Sequence, residues 1–244
     1  MIAAEAKAIR LGHPSYVWRR GQDRRLTQIQ EVVDLRGKQI LDIGCGLGMY
    51  VEKLRRFSSD VYGVDVDGDK VAEASARLPN IHQAPGEALP FEDESFDVIL
   101  LNEVIEHVDD DRMTIHEAYR CLRPGGQIII YAPNRLYPFE THGFYFLGRY
   151  YFRLLPFVNW LPDSIRDLFC PHVRIYTQRR IKSLFEGLAV RFDAASHIFP
   201  GLDNIAARRR TVGPRLHQVV DWIEQTPLRC FGISHFVVAR KIQD

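Results

Sequence analysis

Cysteine is scarce in this chain, and the four present (Cys45, Cys121, Cys170 and Cys230) form no Cys-x-x-Cys pair. No histidine cluster has metal-ligand spacing either. The sequence therefore predicts no zinc or other metal site and no disulfide scaffold. An excess of one charge is also lacking. Lys and Arg number 32 against 31 Asp and Glu, for a formal net charge of +1, so there is no global attraction for nucleic acid. The short basic clusters Arg19-Arg20, Arg24-Arg25 and Arg208-Arg209-Arg210 are of the size of ordinary solvated faces. Met1 to Arg10 lacks the apolar core of a signal peptide. The most apolar stretch, Phe144 to Leu161, is broken by Arg149, Arg153 and Pro156 and does not read as a membrane span. There is no internal repeat and no low-complexity tract. The expectation is a cytoplasmic protein without a nucleic-acid partner, monomeric or homodimeric.

What is present is an alternation of apolar runs and helical patterns. Residues 1–36 are helical in tendency and rich in Arg and Gln. Gln39 to Ile43 is a short apolar run between Gly37 and Gly44, suited to a buried strand. Met49, Tyr50, Val51, Leu54 and Phe57 then recur at helical spacing. A second strand is expected at Val61 to Asp65, and a helix opening at Asp67-Gly68-Asp69 and stopped by Pro79. A weak strand at Ile81 to Gln83 and a clear one at Phe96 to Leu101 follow. The next helix starts at Asp109-Asp110-Asp111, where acidic residues favour a helix N-terminus. It ends at Pro124-Gly125-Gly126, before a strand at Gln127 to Tyr131. Thr177 is placed to cap a further helix, strands are expected at Val190 to Ala194 and Phe236 to Ala239, and Leu216 to Ile223 looks helical. Strands alternating with helices predict an α/β fold: a mostly parallel sheet with helices on both faces.

In such a sheet ligands bind beyond the carboxyl ends of the strands, and Gly44-x-Gly46-x-Gly48 stands at one of those ends. Dinucleotide binders favour Gly-x-Gly-x-x-Gly, with a helix N-terminus facing a pyrophosphate. Here the third glycine comes one residue early and Asp42 precedes the loop. A carboxylate there would repel a pyrophosphate and attract an ammonium group.

The segment Leu41-Asp42-Ile43-Gly44-Cys45-Gly46-Leu47-Gly48 resembles the first motif of the class I S-adenosylmethionine-dependent methyltransferases. Asp65 falls where that family has an acid that hydrogen-bonds both ribose hydroxyls. Gly86 to Asp97 is similar to its adenine-side loop and following strand, Asn102 to Val108 to its post-strand motif, and Leu122-Arg123-Pro124-Gly125-Gly126 to its last shared motif. Together these span about residues 38–134. The nearest-looking branch contains quinone-biosynthesis and natural-product enzymes. One departure is Pro85, where the branch commonly has Asp, so the adenine contact should shift to Gly86 or Glu87. The resemblance implies a Rossmann-like seven-stranded sheet with an aromatic-rich insertion after the fifth strand. It implies S-adenosylmethionine as cofactor, S-adenosylhomocysteine as product, and cofactor contacts from Asp42, Gly44, Cys45, Gly46, Gly48, Asp65, Val66, Gly86, Glu87, Ala88, Asn102, Glu103 and His107. It also implies a cap formed by residues 1–36, with Tyr16, Arg20 or Arg24 reaching the methionine carboxylate, on a methyltransferase domain of residues 37–244.

The acceptor side is outside the resemblance. Methyl transfer is an in-line displacement, and a base is needed only if the nucleophile must lose a proton early. The candidates are His142 and His107, with Glu140 and His13 behind them. Residues 135–175 are expected to form an inserted substrate lid. Tyr137 to Phe169 holds 11 of the chain's 27 aromatic residues, and the stretch Tyr137 to Trp160 also admits readings as extra core or as a membrane-surface element, with contact through 144–161. The expected function is methylation, preferably on oxygen, of a small apolar or aromatic metabolite. The alternatives are a membrane-surface methyltransferase acting on a lipid or quinone-like acceptor, an NAD-dependent dehydrogenase, and a non-catalytic nucleotide-binding module.

Overall fold

The structure is a computed structural model describing residues 7, 9–11, 19–202 and 213–242. Helix α1 (Arg20–Gln30) precedes the sheet. Then β1 (Ile40–Ile43), α2 (Met49–Leu54), β2 (Val61–Asp65), α3 (Gly68–Ser75), β3 (Ile81–Gln83), β4 (Phe96–Asn102), α4 (Asp111–Cys121) and β5 (Leu122–Pro133) alternate as expected. Seven strands form one sheet in the order β3-β2-β1-β4-β5-β11-β10, where β10 is Val190–Ile198 and β11 is Ser234–Lys241. Strands β1 to β5 pair in parallel, and β11 is antiparallel to both its neighbours. The strand order reverses at β1, flanked by β2 and β4, which places the ligand crevice beyond their carboxyl ends.

Alternation along the strands divides the core between the two faces. Ile128 and Ile130 of β5 pack with Ile115 and Ala118 of α4. Ile129 and Tyr131 pack on the other face with Leu26 and Ile29 of α1 and Val51 and Leu54 of α2. Each such side chain contributes about 1.5–3 kcal/mol on burial. α1 is therefore bound into the core. The helix starts follow their caps: the Asp67 carboxylate accepts from the Asp69 and Lys70 amides, and the Thr177 hydroxyl accepts from the Arg180 amide at the start of α6 (Gln178–Ser183).

Strand β10 runs on to Ile198, past the expected Ala194, and β5 starts early. The strand after α4 begins at Leu122, not Gln127, because Leu122 already pairs with Phe96. Pro124 and Gly125 sit in the register irregularity that follows. A Cβ on Gly126 would lie 2.8 Å from the Asp97 carbonyl, so the strands close only on glycine there.

The insertion after β5 is a small unit with its own packing. Strands β6 (Phe139–Glu140) and β9 (Leu155–Pro156) pair, as do β7 (Phe144–Phe146) and β8 (Arg149–Tyr151), and helix α5 (Asp163–Phe169) follows. Val158, Cys170 and Val173 are its buried centre. Fully buried Arg166 donates to the Glu140 carboxylate at 2.8 Å and to the Val173 carbonyl at 2.9 Å. Helix α7 (Gly213–Glu224) precedes β11.

Candidate active site

Beyond the carboxyl ends of β1, β2 and β4 lies a cavity of about 520 Å³. The turn after β1 forms its floor, with Gly44, Gly46 and Gly48 all at positive φ. A Cβ on Gly44 would meet Val104 Cγ2 at 2.4 Å, while one on Gly46 would have no described atom within 4 Å. Gly46 thus leaves its main chain open to the cavity.

Two carboxylates face this floor. Asp65, at the end of β2, accepts from the Gly46 amide (2.8 Å) and the Asp67 amide (2.9 Å), one on each oxygen. Each oxygen keeps a lone pair for a ligand. Asp42 is 2% exposed and makes no hydrogen bond or ion pair among the described residues. Burial, and then Asp65, push its carboxyl well above the usual range. A buried carboxyl without a partner needs a proton or a cation to compensate it.

Among the expected cofactor residues, Cys45, Val66, Gly86, Glu87, Asn102, Glu103 and His107 line this cavity. Glu87 has a further task, since its side chain accepts from the Asp109 (2.8 Å) and Asp110 (3.1 Å) amides ahead of α4. Three of the expected residues stand apart from it. Gly48 and Ala88 do not line the cavity, because Gly48 packs against Leu78 as the start of α2 and Ala88 lies past the turn. Arg20 does not reach it either: its guanidinium pairs with Asp221 of α7 at 3.1 Å. Arg24 likewise pairs with Glu224 and donates to the Phe199 carbonyl. Tyr16 and His13 lie outside the described residues.

The arginine that turns inward is Arg25. It donates to Asn102 at 2.5 Å and to Glu103 at 2.7 Å, and it stacks over the Tyr131 ring at 4.7 Å. The signal in sequence was its i,i+4 relation to buried Ile29, which separates it from Arg20 and Arg24. Burial works to raise the Glu103 carboxyl, but Arg25 and Ser234 outweigh it and hold the group below its usual range. Glu103 adopts φ +56, a left-handed conformation uncommon outside glycine and one often stored at functional sites.

The structure brings both candidate histidines to the far end of the cavity. The His107 and His142 rings lie edge to face, centroids 5.4 Å apart. Burial, and then His142, push His107 down to about 3. The Nδ1 of His142 lies 2.8 Å from Glu140 Oε1, so the insertion supplies this side chain together with its orienting carboxylate. Burial opposes ionisation of Glu140, but its bonds with His142 and the nearby Arg166 prevail and hold it down to about 2. Glu106, which the sequence did not single out, is fully buried beside them, and neither of its oxygens meets a donor among the described residues.

Comparison with known proteins agrees with this geometry. Residues 41–130 match the family described as "Methyltransferase domain". The ubiquinone biosynthesis O-methyltransferase of Bartonella tribocorum is 35% identical over 135 residues, covering 53% of this chain and 52% of that protein. The protein of the same name from Pseudomonas fluorescens SBW25 is 34% identical over 142 residues, covering 54% and 60%. The chain thus spans about half the length of the curated relatives it matches. Among solved structures, an S-adenosylmethionine-dependent methyltransferase from Mesorhizobium loti superposes with TM-score 0.61 at 18% identity, covering 88% of this chain and 96% of that one. The [4+2]-cyclase SpnF superposes with TM-score 0.62 at 17% identity, covering 96% and 86%. These likenesses show the fold, and both sequence relatives are named as O-methyltransferases. Residues 41–130 thus match a methyltransferase-domain family, and the chain has the fold of the S-adenosylmethionine-dependent methyltransferase on which it superposes.

Proposed function

We propose that the chain transfers a methyl group from S-adenosylmethionine to an oxygen of a small acceptor with an apolar or aromatic body. The observation that carries this reading is the pairing of a buried, unpartnered Asp42 with the open main chain at Gly46 and the half-satisfied Asp65 across one cavity. These residues fit the cofactor: Asp42 takes its ammonium, Asp65 its ribose hydroxyls, and Gly46 lets its body lie against the backbone. When bound, the cofactor supplies a methyl carbon on a sulfonium, already activated. The chain's own work is then alignment and exclusion of water. Arg25 and Glu103 lock the wall beside the cofactor, and His107 and His142 border the space where an acceptor meets it. The likeness to ubiquinone-pathway O-methyltransferases supports oxygen as the methylated atom.

Calorimetric titration with S-adenosylmethionine tests the reading directly. Saturable binding is expected, and Asp65→Ala should weaken it by about 10–100-fold, the loss of charge-assisted hydrogen bonds. Absence of binding to the wild-type chain would sink the proposal.

A second reading concerns where the acceptor is met. The insertion exposes Phe146, Leu147, Phe152, Leu154, Phe157, Trp160 and Leu168, and Leu147 at the β7–β8 turn is 87% exposed. Arg149 and Arg153 lie among them. Apolar side chains interspersed with arginine suit a lipid surface, which favours an acceptor carried in a membrane. No helix among the described residues is long and apolar enough to cross one. Co-sedimentation with anionic vesicles is expected, and a chain that stays in the supernatant at low salt removes this reading.

A further inference from the structure

We infer that His142 takes the proton in methyl transfer, with Glu140 and Arg166 as its positioning pair, and that the acceptor is a hydroxyl too weakly acidic to ionise unaided, such as a phenol. The reaction rests on the methyl-transfer reading, whereas the residues rest on the geometry of the insertion.

His142 is held from several directions at once. Oε1 of Glu140 accepts from the His142 amide at 2.9 Å and from its Nδ1 at 2.8 Å. The His142 carbonyl accepts from the Tyr150 hydroxyl, and His172 Nε2 lies 3.3 Å from the same oxygen. A Cβ on Gly143, at φ +84, would lie 2.5 Å from the Tyr150 oxygen, so this turn closes only on glycine. Glu140 is itself held by Arg166 at 2.8 Å, and the two side chains are 1% and 2% exposed. A buried ion pair and a backbone clamp thus serve one imidazole. His142 lines the cofactor cavity, and Nε2 is the ring nitrogen left for it. An ionised carboxylate only accepts, so Nδ1 carries the hydrogen and Nε2 keeps its lone pair. That tautomer is the one that takes a proton from an acceptor, with a carboxylate behind it to stabilise the imidazolium. His107 lacks this arrangement. Its Nδ1 is buried without a partner among the described residues, and burial pushes the group down to about 3, too weak a base to help near neutral pH.

The presence of a base selects the acceptor. A neutral amine attacks with its lone pair before any proton leaves, and a carboxylate is already ionised. A phenolic hydroxyl, which ionises at about 10, does need help. Rings suited to an aromatic acceptor border the adjoining hollow: Tyr145 and Tyr150 lie edge to face with His172, at 5.7 and 5.6 Å. In the transfer, Nε2 takes the hydroxyl proton while the acceptor oxygen forms its bond to the methyl carbon. The carbon–sulfur electron pair stays on sulfur, S-adenosylhomocysteine leaves, and the imidazolium returns its proton to water.

The test compares methylation of catechol with that of 4-nitrocatechol, whose hydroxyl is already ionised near neutral pH. Wild type should methylate both. His142→Gln should lose catechol turnover selectively, shifting the ratio of the two rates by about 100-fold or more. Glu140→Gln should shift it the same way by about tenfold or more, because an amide donates as well as accepts and no longer fixes the tautomer. A second readout needs no turnover. In nitrogen NMR spectra of the wild type, the His142 signals, identified by their loss in His142→Gln, should show a protonated Nδ1 and a bare Nε2, and Glu140→Gln should mix the two tautomers. Equal loss on both acceptors, a wild type that leaves catechol unmethylated, or a bare Nδ1 overturns the assignment. Calorimetry with S-adenosylmethionine is scored separately: saturable binding alongside any of those results removes the base alone, and absence of binding removes the methyl-transfer reading.

Discussion

Gly46 adopts φ +55 and has open space where a side chain would begin. An alanine there would pay for the left-handed backbone with about 1 kcal/mol and would push a methyl group into the cavity. Gly46→Ala should therefore weaken S-adenosylmethionine binding by tenfold or more, read by calorimetry, while the melting temperature falls by only a few degrees. Equal loss in both would mean that the glycine serves the fold and not the ligand. The placement of Asp42, Asp65 and Gly46 was legible at this scale because it is local: a strand end, a tight turn, a carboxylate at a fixed offset. Arg25 was harder to read: its i,i+4 relation to Ile29 sets it apart from Arg20 and Arg24, but its partner Glu103 stands 78 positions away.

At the scale of elements, the insertion is tied down by one buried charge pair. Removing a single member of such a pair costs about 3–5 kcal/mol, because the other charge stays buried. Arg166→Met strands Glu140, and Glu140 holds His142. Hydrogen exchange in residues 139–170 should speed up sharply in this variant, while β1, β4 and β5 keep their protection and the cofactor still binds. Collapse of protection throughout the sheet would show instead that the insertion is part of the main core. The sequence announced an unusual segment here by its aromatic content but left lid, core and membrane readings open. The structure gives the segment a small core of its own together with an outward apolar surface. What sequence could not convey is that Arg166 and Glu140, 26 positions apart, meet inside it. No helical or strand period places a pair that the path of the chain brings together.

For the whole molecule, pH acts through histidines that folding keeps neutral. His235 on β11 donates from Nε2 to the Tyr176 carbonyl at 2.8 Å, and burial pushes it down to about 4. The unfolded chain takes up this proton near pH 6.5, whereas the folded one holds off until about 4. Unfolding thus binds a proton between those values. The stabilisation is fully present above about 6.5 and is lost as pH falls, at up to about 1.4 kcal/mol per unit for a single group. His235→Gln should flatten that slope in denaturant melts taken from pH 7 to 4. An unchanged slope would assign the acid sensitivity to other groups.

The pairings of Arg20 and Arg24 with Asp221 and Glu224 carry a consequence for traffic through the cavity. They clasp a helix from the start of the chain to one near its end, and the rim between them includes Gly21, Gln22 and Gly201. A ligand entering or leaving the glycine floor passes residues next to this clasp, which makes its residence a property of the rim as well as of the floor. Those latch charges are only partly buried, and salt screens such pairs. Raising the ionic strength is then expected to shorten the dwell time of a ligand bound on that floor, read as a faster dissociation rate.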